Sequence, residues 1–289
     1  MKKIFVIGVI FLFMGVAFAP SINVNVVKAS NDNELVEVTT QACGIKGFGN
    51  TTVKLTRQQY QELEQYLVEF RTRLNQTTIR EEAIPIFKEA VVELDKYGLL
   101  PKGMSLEQAQ KLVIGKYQHT HFMRLPEKIY NEDLPIINSN FFCLIAGRAT
   151  NTTVVGPMLL VTYYLAFLIE NHKLLIPLFL LCCLLLPFEI AGIISMGSVG
   201  VSEDGERYSP CRGWTCTIGL LGIKSYFKSF YGNMYSVFYS EFGGPLIGAI
   251  GFTGFRIPMI NLRTGEISSF YLGHALYTKI SSSPWDQDN

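Results

Sequence analysis

Hydrophobic and polar positions divide the chain into three regimes. Between Thr56 and Tyr117 apolar residues recur every three or four positions, the period of an amphipathic helix. Between Thr153 and Val201 they run almost unbroken. From Trp214 onward they alternate with polar or glycine positions, the period of a half-buried strand.

The first regime predicts three helices. Tyr60, Leu63, Leu67, Phe70 and Leu74 form one face behind a Thr56–Gln59 capping box. A second helix begins near Thr78 with Glu81 as its box partner. Phe87, Val91, Leu94 and Tyr97 form its face, and Gly98 followed by Pro101 ends it. Ser105 and Gln108 cap a third, with Leu106, Ala109, Leu112, Val113 and Tyr117 on its buried side. Three such helices can bury a small core against one another, so residues 30–140 read as a mainly helical domain. The stretch 30–55 reads as irregular, because Gly44, Gly47 and Gly49 are spaced as in a loop.

The second regime opens TVVGPMLLVTYYLAFLI, pauses at Glu170-Asn171-His172-Lys173, and resumes from Leu174 to Val201 with one charge, Glu189. A run of about 20 apolar residues crosses hydrocarbon as a helix, which pairs its own backbone groups. Residues 153–201 therefore read as a two-helix transmembrane hairpin with a four-residue turn. A helical hairpin buried in a soluble core is the alternative. Pro187 is expected to kink the second helix. Glu189 is the functional candidate there, because an ionisable group inside a membrane is costly.

In the third regime Trp214, Cys216, Ile218 and Leu220 alternate with Thr215, Thr217 and Gly219. Leu246–Ile260 and Ile267–Ile280 read as strands joined by the hairpin connection Asn261–Glu266. A third membrane helix over 242–260 is the competing reading, and Arg256, Pro258 and the glycines weigh against it. The fold expected from these parts is an α+β membrane protein. It has a helical exported domain (30–140), a transmembrane hairpin (153–201) and a C-terminal antiparallel β-rich segment (202–289).

Composition adds the compartment. Met1-Lys2-Lys3 followed by IFVIGVIFLFMGVAFA has the basic and apolar regions of a secretory signal, with cleavage expected after Ala29. Both flanking segments are then extracellular, and the lipid bilayer is the expected partner, with other envelope proteins or a second copy of the chain beside it. The formal net charge of +1 over 289 residues excludes bulk attraction to nucleic acid.

Outside the cytoplasm disulfides are permitted. Cys211 and Cys216 are close enough in sequence for a small loop bridge, and Cys43 and Cys143 bracket the helical region. Six cysteines allow about fifteen full pairings, and spacing does not choose among them. Asn50, Asn75 and Asn151 each begin an Asn-x-Thr sequon. His119 and His121 are the weak metal candidates; on a helix their spacing separates the rings by about 200°. Otherwise no metal or cofactor is expected. No serine, cysteine or carboxylate pair comes with a catalytic partner, so an enzyme is not expected.

Leu94-Asp95-Lys96-Tyr97-Gly98-Leu99-Leu100-Pro101-Lys102-Gly103-Met104-Ser105 and Cys143-Leu144-Ile145-Ala146-Gly147-Arg148 resemble segments of exported archaeal proteins of uncharacterised function. The resemblance extends through the apolar stretch to the C-terminal Gly251-Phe252-Thr253-Gly254. It implies a shared architecture and brings no activity, cofactor or catalytic residue. The expected role is a membrane-anchored envelope protein that binds or packs. The alternative is an oligomeric passage for an ion or small solute, lined by the 153–201 hairpin with Glu189 facing the pore.

Overall fold

A computed structural model describes residues 35–44, 50–115, 138–155, 176–185, 192–202, 205–234 and 244–283. The chain begins with two strands, β1 (Leu35–Cys43) and β2 (Thr51–Thr56), followed by helices α1 (Arg57–Leu74), α2 (Arg80–Lys96) and α3 (Leu106–Ile114). Next come β3 (Ser139–Ala149), β4 (Thr152–Val155), the short helix α4 (Ile176–Leu185), β5 (Gly192–Ser202) and β6 (Gly205–Ser209). The strands β7 (Cys211–Gly219), β8 (Gly222–Gly232), β9 (Gly244–Ile260) and β10 (Ile267–Ser281) complete the described chain.

The spine of the fold is the β9–β10 hairpin. Its connection is an Asx turn: the Asn261 side-chain oxygen accepts from the backbone N–H groups of Arg263 and Thr264 at 2.9 and 3.2 Å. Register then runs antiparallel from Ile267↔Ile260 to Thr278↔Ala249. Around it the sheet order is β2-β1-β9-β10-β3-β7-β8. β1 and β5 divide the free edge of β9: β1 meets Gly254–Arg256, and β5 meets the segment from Gly244 to Phe252. β4 and β6 both pair with β5. At the far side β8 reaches the end of β10 through Ile280↔Gly232 and Ser281↔Tyr231, so the sheet curls back on itself.

Strand alternation sends apolar residues to both faces of this sheet. Leu144, Ala146, Trp214, Cys216, Ile218, Phe255, Ile257, Phe270 and Leu272 face the helices and share one core with them. Cys143, Ile145, Ile194, Met196, Cys211, Phe230, Phe252 and Tyr271 fill the inside of the curl. Space inside is tight. A Cβ on Gly147 would stand 2.3 Å from the Tyr271 hydroxyl, so glycine there admits the phenol ring.

The helix layer docks through a few specific contacts. Phe70 of α1 lies 5.8 Å from Phe87 of α2, 6.3 Å from Trp214 of β7 and 6.2 Å from Phe270 of β10, ring centre to ring centre. The Tyr60 hydroxyl donates to the Ile260 carbonyl at 2.7 Å and accepts from the Ile260 N–H at 2.9 Å, tying α1 to the end of β9. On the other face buried Arg256 donates to Gln41 of β1, Ser269 of β10 and the Thr152 carbonyl of β4. That guanidinium clips four strands together through neutral acceptors, because a buried charge must be hydrogen-bonded to be tolerated.

The Thr56–Gln59 and Ser105–Gln108 capping boxes are both present. The second helix differs from its expectation: Ile79 is its N-cap with no side-chain bond, and Glu82, not Glu81, accepts from the Thr78 N–H and hydroxyl. Residues 35–43 and 51–56, expected to be irregular, form an antiparallel hairpin.

The expected fold of helical domain, transmembrane hairpin and β-rich segment is overturned. The two ends of the 153–201 stretch are strands, β4 and β5, paired from Thr152↔Met196 to Val155↔Ile193. Between them the described part is the ten-residue α4, about 15 Å long against a hydrocarbon core of about 30 Å. Among the described residues no helix is long and apolar enough to cross a membrane. Residues 156–175 and 186–191, with Glu189 and Pro187, lie outside the described residues. The physical reason is that unbroken apolarity marks burial on all sides and does not distinguish a doubly covered strand from a membrane helix. Gly192-Ile193-Ile194-Ser195-Met196-Gly197-Ser198-Val199-Gly200-Val201 is rich in β-branched residues, which suit a strand, and its glycines weigh against a helix. Residues 244–260 are strand β9, which removes the third-helix reading as well.

Replacing Phe70 with alanine opens a cavity where two helices meet the sheet. It is expected to cost about 3–5 kcal/mol in urea unfolding. Val92→Ala, at a position 44 % exposed on α2, is expected to stay within about 0.5 kcal/mol.

Candidate functional site

The C-terminal half of α1, the adjoining ends of β3 and β7, and the β9–β10 connection enclose an open cleft of about 290 Å³. Three arginines line it. Arg148 of β3 donates through Nη2 to Glu64 of α1 at 2.7 Å and through Nε to the Ser268 hydroxyl at 3.1 Å. Arg71, one turn before the end of α1, lies with its guanidinium carbon 4.7 Å from the centre of the Phe227 ring. Arg212 enters from β7. Its carbonyl accepts from the Thr150 N–H at 2.9 Å, and its N–H donates to the Thr150 hydroxyl at 3.2 Å, so its backbone is pinned while its side chain is exposed.

Local sequence explains the convergence. In the β3–β7 ladder Arg148 stands opposite Trp214 and Ala149 opposite Gly213. Gly213 has φ +146, and a Cβ there would fall 2.1 Å from the Arg148 carbonyl, so only glycine permits this approach. Trp214 in turn faces Phe227 across the β7–β8 ladder, which puts the ring under Arg71. Two carboxylates also line the cleft, Glu64 and Glu266. Glu64 is engaged by Arg148, whereas among the described residues neither Arg71 nor Arg212 has a carboxylate within ion-pair distance.

None of the three arginines stood out in the sequence, since α1, β3 and β7 are far apart along the chain. The usable signal was a charge interrupting an otherwise buried strand, at Arg148 and at Arg212-Gly213-Trp214.

The cysteine pairings expected from spacing do not form; Cys43, Cys143, Cys211 and Cys216 are free thiols. Cys211 and Cys216 lie on one strand at an odd spacing, so they point to opposite faces, one into each core, about 16 Å apart along the strand. Cys43 and Cys143 sit on β1 and β3 with β9 and β10 between them, about 14 Å apart across the sheet. Burial pushes the thiols of Cys43, Cys143 and Cys211 up to about 12 and that of Cys216 to about 11, which suppresses the reactive thiolate.

His119 and His121 lie outside the described residues. Among the described residues no group of three or more His, Cys, Asp or Glu converges to hold a metal ion. His274 of β10 packs against the end of α3, where its Nδ1 lies 2.9 Å from the Leu112 carbonyl. That carbonyl can only accept, so Nδ1 carries the proton. Burial lowers the His274 pKa below its ordinary 6.5, and Arg80 lowers it further.

The three sequon asparagines are exposed. Asn50 precedes β2, and Asn75 is the C-cap of α1. Asn151 occupies the β3–β4 turn with φ 52, and its side-chain amide donates to the Ser209 carbonyl at 3.1 Å.

A second surface feature is α4. Ile176, Leu178, Leu180 and Leu181 are between 42 and 55 % exposed. At 100° per residue these positions sweep one arc of about 200°, and the half-buried Phe179 lies in the remaining sector, so the apolar exposure forms one broad face.

No family model, curated protein or solved structure matches this chain.

Two outcomes follow from the site chemistry. Alkylating the native protein and locating the label by peptide mass spectrometry is expected to leave Cys43, Cys143, Cys211 and Cys216 unmodified until denaturant is added. For His274, the folded pKa lies below the unfolded one, so its stabilising effect is complete above pH ~6.5 and is lost as pH falls through the folded value. The Tm of the wild type is expected to drop more between pH ~7.5 and ~5 than that of His274→Gln.

Proposed function

We propose that this chain is a non-catalytic binding protein of the cell envelope, held at a lipid surface by the apolar excursion between β4 and β5. The observation that carries this reading is α4. Leu178, Leu180 and Leu181 are exposed on a helix whose sequence has no polar residue apart from its two cysteines, and with Ile176 they form a broad apolar face. A helix apolar all round is stable only where nothing around it is water. A broad apolar face on a helix without charged residues fits the boundary of a hydrocarbon phase.

The contact is interfacial. Ten helical residues reach about half the thickness of the hydrocarbon core, and the folded sheet stays outside it. The sequence continues the pattern on both sides of α4, from Pro157-Met158-Leu159-Leu160 to Leu184-Leu185-Leu186. Each buried leucine contributes about 1.5–3 kcal/mol, so a few suffice for stable partitioning. The basic and apolar start of the chain, Met1-Lys2-Lys3 followed by an uncharged run to Ala19, supports export. A passage lined by the 153–201 stretch would need transmembrane helices, and among the described residues no helix is long and apolar enough to cross a membrane.

The test is vesicle flotation of the purified chain with uncharged phosphatidylcholine liposomes. The chain is expected to float with the vesicles. The double variant Leu180→Lys, Leu181→Lys, at exposed positions that leave the sheet untouched, is expected to reduce the bound fraction at least about tenfold. A wild type that stays in the aqueous fraction sinks the reading.

A further inference from the structure

We propose that the cleft between α1 and the β3–β7 ladder is a binding site for a small organic oxyanion, a carboxylate or phosphate ester with a short apolar body. This site is independent of α4 and of any lipid contact.

Arg148 is already neutralised by Glu64, and its orientation is set by that ion pair and by Ser268. The remaining cations, Arg71 and Arg212, have no carboxylate partner among the described residues. A guanidinium presents donors in a flat fork that fits a carboxylate or phosphate with two parallel hydrogen bonds.

The Arg71 fork is held in advance of any ligand, whereas Arg212 is fixed at its backbone with an exposed side chain. Arg71 rests on the Phe227 ring at 4.7 Å, an attraction between the cation and the negative face of the ring. Arg212 is anchored by its two backbone bonds with Thr150. Side chains that are positioned before binding lose less entropy on binding. The volume, about 290 Å³, lies at the lower end of the ~300–1,000 Å³ typical of small-molecule sites, so a small ligand is implied. Val68, 63 % exposed on α1, offers an apolar wall beside the arginines for the ligand's body. Glu266, which also lines the cleft, disfavours a ligand with anionic groups at both ends.

Isothermal titration of the purified full chain with phenyl phosphate and with benzoate separates the two anion chemistries, with benzyl alcohol as the neutral control. Saturable binding of at least one anion is expected, with none of the alcohol. Affinity is expected to fall about tenfold or more in Arg212→Gln and in Arg71→Gln, and to weaken as salt is added. Circular dichroism of both variants checks that they remain folded. The proposal is overturned if neither anion binds saturably at millimolar concentration, or if both variants bind as the wild type does.

Discussion

A sheet that is apolar on both faces must be covered on both, and this constraint organises the molecule. β9 and β10 send Phe255, Ile257, Phe270 and Leu272 to one side and Phe252, Tyr271 and Ala275 to the other. The helices answer the first demand and the curling of the sheet answers the second. Sequence-distant parts are therefore bound into one structure: β1 joins the edge of β9, and Phe70 of α1 meets both Trp214 and Phe270. Arg256 shows the cost of this arrangement. A cation at a doubly covered position is tolerated because Gln41, Ser269 and the Thr152 carbonyl take its hydrogen bonds.

The cleft is a by-product of the same geometry. Where α1 lies over the ends of β3 and β7, charged side chains join apolar ones in lining an open cleft. Gly213 allows the two strands to approach, and the Trp214–Phe227 pair supplies the surface on which Arg71 rests. The rigid layers hold the arginines; the opening between them leaves room for a ligand.

Legibility in the sequence followed how local the controlling physics was. The faces Tyr60–Leu63–Leu67–Phe70–Leu74 and Phe87–Val91–Leu94 were readable, because helix period and capping depend on residues within one turn. The hairpin at Asn261–Gly265 was readable for the same reason. β1 and β2 were not: they pair with each other locally, but the spacing of Gly44, Gly47 and Gly49 read as a loop, and the other edge of β1 meets β9 only in the tertiary structure. Nor was the strand character of Thr152–Val155 and Gly192–Ser202, because apolarity alone reports burial and not its form. The disulfide expectation failed at Cys211–Cys216 on a matter of parity: five positions along a strand reverse the face. For the cleft, Arg71, Arg148 and Arg212 carried no shared motif, and nothing local joins them.

By itself, then, the sequence determined the three amphipathic helices, the C-terminal strands and turn, the balanced charge and the concentration of apolar residues between Val154 and Val201. Each of these rests on neighbours along the chain. Tertiary structure alone decided that the helices cover a sheet as well as one another, that the ends of the apolar stretch pair as strands, that four thiols are kept apart, and that three arginines share a cleft. Those outcomes depend on which surfaces meet across the fold, and contacts between distant segments leave no periodic trace in the order of residues.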